Sequence, residues 1–553
     1  MPETVTETAQ RPPRAARLLR RTLRGLPPKR FETRYRPALE VTAEDGTVLL
    51  TDHHLPVGAG PFPTVLLRSP YGRGFPWAPL YGLALAEQGF HVVIQSCRGT
   101  GGSGGVFTPW RDERADGLAT VAWLRGQPWF DGRLGTIGPS YLGYVQWALA
   151  ADPPPELRAM VVHNGIHDPY GFFRSGGAPG TPGVFNLENA LVASVGLLHF
   201  QHGFGALMRA AARLQRRLPA ATRGLPLRQA YTAGTGGPVP FLAGAMDHPE
   251  PGDPYWHGAD LAAVAGRTSV PTALVTGWWD VQLGQTLGQW ERLGGAGVPR
   301  SLLVGPWTHT STLGPGWPET FRESLAWLRA HLADDPSGLR AEPVRVHTGE
   351  GWRELAGWPP PGEELLLHLD GERLSAEPRP GAEPLRLRAD PAVPVPSVGG
   401  ALLSRQAGPR RVEALGGRAG VLSLDGEPFA GPVQLLGPVS VDLLVDSGHL
   451  DLYARLCAVD PRGRAVHLTD GVARLTPGGD RPVRVTVTLD PSGRRIAAGH
   501  RLRLQLSPAP HPRHARNPGT GESDTAAARL VPARAAVHPG SVLRVTVERR
   551  TEP

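Results

Sequence analysis

Between Phe31 and His167 the chain alternates short apolar runs with amphipathic ones. The runs "PTVLLRSPY", "HVVIQSC", "LGTIGPS" and "LRAMVVHNG" read as strands, with "LYGLALAEQGF", "DGLATVAWLRGQ" and "YLGYVQWALAA" as helices between them. Strand and helix in strict alternation imply parallel pairing through crossover helices, the α/β class. From Asp168 to Ala265 the pattern breaks into glycine-rich loops and helix-like pieces such as "GLLHFQHGFGALMRAAARLQRRL", and then "VPTALVTGWWD" and "RSLLVGPWTH" resume it. The interruption predicts a helical insertion inside an α/β domain. After Leu339 the helical period fades. "GPVSVDLLVDS", "LDLYARLCAVD", "VRVTVTLD", "HRLRLQLSP" and "SVLRVTVER" alternate with period two between Gly, Pro and Asp, which predicts a β-sandwich of jelly-roll type. No internal repeat of fixed period is visible. The expected organisation is an arm over residues 1–30, an α/β domain over 31–167 and 266–338, a helical insertion over 168–265 and a jelly roll over 339–553.

A length of 553 residues agrees with several domains, and 71 Gly and 59 Pro with many turns and long loops. The net charge of +8 suggests nucleic-acid binding until it is located. Arg11, Arg14, Arg17, Arg20, Arg21, Arg24, Lys29 and Arg30 face only Glu3 and Glu7 within the first 30 residues, so the body of the protein is nearly neutral. The arm reads as a solvated segment without fixed structure, with a polyanion or membrane-surface contact as the alternative. No nucleic-acid partner is expected. No apolar run approaches the length of about 20 residues that a membrane span needs, and no signal-peptide core precedes the body, so the expected location is cytoplasmic. Cys97 and Cys457 cannot form a disulfide framework or a cysteine-rich metal site. The pairs His53/His54 and His163/His167 lack convincing ligand spacing, because Asn164 and Gly165 argue for a turn in the second. No metal or organic cofactor is expected.

The candidate chemistry starts at Ser140, in "GTIGPSYLGY", where a strand gives way to a helix. That junction in an α/β-hydrolase is a tight elbow that exposes a nucleophilic hydroxyl and leaves the next residue's N–H, here Tyr141, free for an oxyanion. The motif departs from G-x-S-x-G, because Leu142 holds the second position after the serine and glycine follows at 143. A helix N-cap is the competing reading of Ser140. A serine hydroxyl needs a histidine base, and the base needs a carboxylate, in the chain order Ser, acid, His. Asp280 ends "TALVTGWWD" and His309 ends "LLVGPWTH", both just past predicted strands, at the sheet edge where such sites collect. A helix cap at Asp280 and a loop histidine at His309 are the alternatives. Tyr71, in "LLRSPYGRG", is placed to donate a phenolic O–H to the oxyanion, with a half-buried loop aromatic as its bland reading.

Together "PSYLGYVQW", "SPYGRG", "GWWD", "VGPWTH", "LTDGVARL" and "AAGHRLRLQLSPAPHPRHARNPGTGE" resemble the cocaine-esterase/X-Pro dipeptidyl-peptidase group of serine hydrolases, the CocE/NonD type. The resemblance covers nearly the whole chain after residue 31. It implies an α/β-hydrolase domain with an inserted helical cap, plus a C-terminal all-β jelly roll, enclosing one site. By motif, Ser140 resembles the nucleophile, His309 the base, Asp280 the acid, and the Tyr71 hydroxyl with the Tyr141 N–H the oxyanion hole. Members that hydrolyse α-amino acid esters carry acidic residues just after the catalytic aspartate, where this chain has Val281, Gln282 and Leu283. Cocaine-cleaving members carry an aromatic at the position of Gln282. The longer X-Pro dipeptidyl-peptidases carry an extra N-terminal domain.

The expected activity is hydrolysis of a small-molecule acyl ester, extending to amides, through an acyl-enzyme. An X-Pro dipeptidyl-peptidase-like aminopeptidase is the alternative. A catalytically inactive binding protein on the same scaffold is the alternative from another class. Trp147, Phe172, Phe173, Trp278, Trp279 and Gln282 are candidate pocket residues, the aromatics fitting a core role equally well. Homo-oligomerisation is left open. The spacing Gly99-x-Gly101-x-x-Gly104 invites a dinucleotide-binding reading, but Pro109 and a loop stand where the helix should begin. A Walker A loop is excluded because Lys29 is the only lysine.

Overall fold

The computed structural model describes residues 9–379, 381–478 and 481–549. In chain order the first sheet opens with β1 (Glu32–Thr42), β2 (Val48–Val57), β3 (Thr64–Ser69), β4 (His91–Ser96), β5 (Leu134–Pro139) and β6 (Leu157–His163). The insertion adds only a two-stranded pair, β7 (Arg174–Ser175) and β8 (Val184–Phe185). The sheet then resumes with β9 (Thr272–Trp279), β10 (Arg300–Thr308), β11 (Val344–His347) and β12 (Trp352–Leu355). Its spatial order is β1-β2-β4-β3-β5-β6-β9-β10-β11-β12, parallel from β4 to β11. Every residue of β3, β4, β5 and β9 is buried, because helices cover both faces of a parallel sheet. Alternate side chains divide between two cores, Leu66 and Val93 facing one and Val65, Leu67, Val92 and Ile94 the other.

This sheet runs past the boundary expected at residue 338. β11 pairs parallel with β10, and β12 returns antiparallel on β11, so residues 344–355 extend the first sheet. Their period-two pattern is that of any strand, and only the pairing partner distinguishes the two domains.

The insertion is helical, with its own core of Phe173, Phe185, Leu187, Leu191, Leu214, Tyr231, Leu242 and Trp256. Its longest helices are Leu187–His199 and Phe204–Arg223. The C-terminal region is all β: β13 (Gly362–Asp370), β14 (Arg373–Ser375), β15 (Leu385–Ala389), β16 (Leu422–Asp425), β17 (Val433–Ser447), β18 (Leu450–Val459), β19 (Ala465–Leu475), β20 (Val483–Ile496), β21 (Arg501–Pro508) and β22 (Ala533–Glu548). The order β19-β18-β21-β16-β14-β13-β22-β17-β20 leaves β19 and β20 as edges, and these nearly meet. Thr469 Oγ1 donates to Asp490 O (2.6 Å), and a Cβ at Gly471 would collide with Thr488 O. The result is a nearly closed barrel of jelly-roll type.

The N-terminal arm differs from expectation. Residues 1–8 lie outside the described residues, but Arg14–Thr22 is a helix. Ala16 packs it on Ala78 and Leu83, and Arg20 pairs with Glu87. Charge composition suggested a solvated segment, whereas one small apolar position and one ion pair hold the helix down. Among the described residues no helix is long and apolar enough to cross a membrane.

Candidate active site

The elbow at Ser140 follows from three local features. Gly138 lacks a side chain where a Cβ would collide with Cβ of Leu142, so the leucine that departs from the usual motif needs this glycine. Gly143 sits where a Cβ would press on Gly165 Cα, which lets the helix Tyr141–Ala150 lie close over β6. Ser140 adopts φ 59° and ψ −120°, a sparsely populated conformation for a residue with a side chain. Its N–H is anchored to His163 O (2.9 Å). The hydroxyl makes no capping bond to the helix, which answers the N-cap reading.

Asp280 and His309 come from the carboxyl ends of neighbouring parallel strands, β9 and β10, and a register irregularity after Gly305 delivers Thr308 and His309 beside Trp279 and Asp280. His309 Nδ1 lies 3.0 Å from Asp280 Oδ1. Asp280 is buried, and the same oxygen accepts the Gln282 N–H (2.7 Å) while Oδ2 has no partner. The helix after Asp280 starts at Leu283 without a side-chain cap, so the carboxylate serves the histidine and one turn amide. A proton on Nδ1 shared with the carboxylate leaves Nε2 as the basic nitrogen.

Tyr71 lies just past β3, with its ring against Trp77 (6.1 Å between centroids) and the insertion's Phe200 (5.6 Å). Burial pushes its hydroxyl up to about 12, with the Ser140 side chain opposing the shift, so it is neutral at ordinary pH and able to donate. Arg73 steadies this loop through Asp52 (3.0 Å), Ser96 (2.8 Å) and Gly101 O (2.7 Å). The Tyr141 N–H is the first of its helix and has no intrahelical acceptor.

Other predicted residues lie elsewhere. Trp147 is wholly buried in the core between sheet and helices, Trp278 and Trp279 are in the same core, and Phe173 is in the core of the insertion. All four are buried and pack in these cores. Trp278 satisfies its indole N–H on His347 O (2.7 Å). Phe172 is half-buried and touches the cluster around Tyr141 and Tyr144. Gln282 is buried, its Oε1 without a partner. His163 is held by Tyr81 (3.1 Å) and Ser324 (2.8 Å), and His53 by His91 (3.0 Å). Gly99, Gly101 and Gly104 belong to a tight loop, where a Cβ at 99 would collide with Phe107 N, and the next helix starts only at Glu113.

Sequence reading missed two supports. Asn164, at φ 48°, donates through Nδ2 to His309 O (3.0 Å) and Thr312 Oγ1 (3.1 Å). The Tyr141 hydroxyl donates to buried Glu113 and accepts the Trp110 N–H (3.1 Å). Burial pushes the Glu113 carboxyl up, while Arg68, 3.9 Å away, pulls it down. An asparagine at the end of a strand was the one signal for the first; Glu113, 28 positions before its partner, carried none.

Residues 45–311 match the family profile of X-Pro dipeptidyl-peptidase (S15 family), and residues 340–543 that of the X-Pro dipeptidyl-peptidase C-terminal non-catalytic domain. The chain belongs to the CocE/NonD-type X-Pro dipeptidyl-peptidase family. It is a hydrolase of that family. Cocaine esterase from Rhodococcus sp. (strain MB1 Bresler) is 29% identical over 535 residues, 87% of this chain and 92% of that one. A putative Xaa-Pro dipeptidyl-peptidase from Bacillus cereus is 23% identical over 53% of this chain and 49% of its own length. In fold, an alpha-amino acid ester hydrolase matches with TM-score 0.79 at 21% identity, covering 95% and 99% of the two chains. An aminopeptidase from a marine sediment Thaumarchaeota archaeon matches with TM-score 0.76 at 19% identity, covering 95% and 98%.

Proposed function

We propose that the protein hydrolyses acyl esters through Ser140, His309 and Asp280, with an acyl-enzyme intermediate. The observation that carries this reading is the His309–Asp280 hydrogen bond at the sheet edge that also bears the strained Ser140 elbow. Ser140 Oγ attacks the carbonyl carbon as His309 Nε2 takes its proton. The tetrahedral oxyanion collapses, the alcohol leaves with that proton, and water repeats the sequence on the acyl-enzyme. Tyr71 Oη and the Tyr141 N–H donate to the oxyanion. Relatives named for ester and for X-Pro peptide hydrolysis both exist, and the absence of acid at 281–283 favours esters. The test is fluorophosphonate labelling with peptide mapping beside turnover of short-chain p-nitrophenyl esters. Label on Ser140 with turnover supports the reading; neither label nor turnover moves the inactive binding protein to the front.

Tyr71→Phe removes one oxyanion donor and is expected to lower kcat by about 10²–10³, some 2.7–4 kcal/mol. A pre-steady-state burst assay checks it, and an unchanged acylation rate excludes Tyr71 from the hole. Glu113→Gln and Tyr141→Phe each loosen the ring that orients the Tyr141 N–H. Each is expected to lower kcat by about tenfold with KM unchanged, and the double variant to be no worse than either, since both act through one contact. Additive losses would separate the two residues.

A further inference from the structure

The basic N-terminal arm has a counterpart in the insertion. No Asp or Glu stands between Glu188 and Asp247, a stretch that carries Arg209, Arg213, Arg216, Arg217, Arg223 and Arg228. All but the last fall in the helix Phe204–Arg223. Likewise no acid stands between Glu7 and Glu32, the stretch that holds the helix Arg14–Thr22. Among the described residues Arg209, Arg213, Arg216 and Arg217 are exposed and have no carboxylate partner, and Asp247 is taken up by Arg228 (3.9 Å).

Both helices also present apolar side chains to solvent. In the first, Ala16 faces the protein on Ala78 and Leu83, so Leu18, about 200° further round the helix, points away and is 65% exposed. Arg14 and Arg21, four positions before it and three after, are exposed on that same face. In the second helix Leu214 and Ala221 are buried, while Phe204 (56% exposed) and Met208 (40% exposed) lie outward, one turn apart, with Arg209 next to them. Phe75, 50% exposed, joins the two helices. Its ring meets Phe204 edge-on, 5.8 Å between centroids, and it stands one turn ahead of the Ala78 that seats Ala16. Phe200, just before the second helix, packs on Tyr71 (5.6 Å), so this face borders the candidate oxyanion hole. Single apolar side chains on a surface need no explanation, but several interleaved with unpaired arginines do.

We propose that this face docks the protein on an anionic lipid surface, with Leu18, Phe75, Phe204 and Met208 entering the boundary of the acyl chains and the arginines of both helices pairing with headgroup phosphates. Arginine suits the role, because its guanidinium meets a phosphate bidentately while its stem lies along apolar surface. A nucleic acid matches the charge but offers no apolar phase to exposed leucine, phenylalanine and methionine side chains, whereas a lipid interface takes up both.

The test is co-sedimentation of the full-length protein with vesicles of equimolar phosphatidylglycerol and phosphatidylcholine, beside vesicles of phosphatidylcholine alone. Binding is expected to the first only, and to weaken as salt rises. An arginine near the surface is worth about fivefold, so the triple variant Arg209→Gln/Arg213→Gln/Arg216→Gln is expected to bind about 10² more weakly. Phe204→Ser/Met208→Ser is expected to weaken binding about tenfold at every salt concentration, which a purely electrostatic contact does not do. These side chains are exposed, so melting temperatures are expected to match wild type; should the double variant melt lower, Leu18→Ser on the other helix makes the same test. Absence of binding, equal binding to both vesicles, or vesicle binding that survives these variants overturns the proposal. So does binding of duplex DNA through the arginines while Phe204→Ser/Met208→Ser leaves vesicle binding unchanged, since the face is then a general polyanion site. Self-association that depends on the same side chains, without vesicle binding, overturns it in favour of an interface between copies of this chain.

Discussion

Ser140→Ala is expected to remove the acyl-enzyme and to lower kcat by about 10⁶, leaving a residual rate that oxyanion donors and binding alone supply. The alanine keeps the elbow, because the strain lies in the backbone at φ 59° and is imposed by the His163 O anchor and the Leu142–Gly138 packing rather than by the hydroxyl. KM and thermal stability should therefore stay near wild type. Steady-state kinetics with intact-mass detection of the acylated chain reads both. Turnover within tenfold of wild type, or an acyl adduct on another residue, would displace Ser140 from its proposed role.

Asp280→Asn should cost about 10⁴ in kcat. The carboxylate has two tasks at one oxygen, holding His309 Nδ1 at 3.0 Å and the Gln282 N–H at 2.7 Å. An amide keeps the second by presenting its carbonyl to the backbone, and its NH₂ then meets Nδ1 as a donor. The histidine is driven to carry its proton on Nε2, the nitrogen that must accept one from Ser140. The loss thus arises from the tautomer, and it should fall on kcat with little change in melting temperature. The rate of fluorophosphonate labelling at Ser140 should drop in parallel, since it depends on the same base. Wild-type labelling in Asp280→Asn would show that His309 is oriented by something else, with Asn164 the next residue to test.

Much of the architecture was legible because a parallel sheet covered on both faces writes itself as uninterrupted apolar runs, as in "TALVTGWW", and an exposed-face β-sandwich writes itself as alternation, as in β17. The three triad candidates were legible for a related reason. Ser140, Asp280 and His309 each follow directly on a strand, and a parallel sheet brings such positions to one edge whatever their separation in sequence. Where the pattern was locally ambiguous, reading failed. The segments "VRVH" and "WREL" alternate like the jelly roll that follows them, yet they pair with β10 and belong to the first sheet. Trp147, Trp278 and Trp279 stand beside the candidate chemistry in sequence, but all three are packed into one buried core cluster.

The fold class, the order of the layers and the candidate reactive residue types can be read from the chain alone, because these depend on periodicity and on the chemistry of single side chains. Which buried groups meet is set by the packing of the folded chain. Glu113 reaches Tyr141 across 28 positions, and Asn164 reaches the His309 carbonyl across 145. Such pairings leave no periodic trace, since they are set by how sheets, insertion and barrel close on one another.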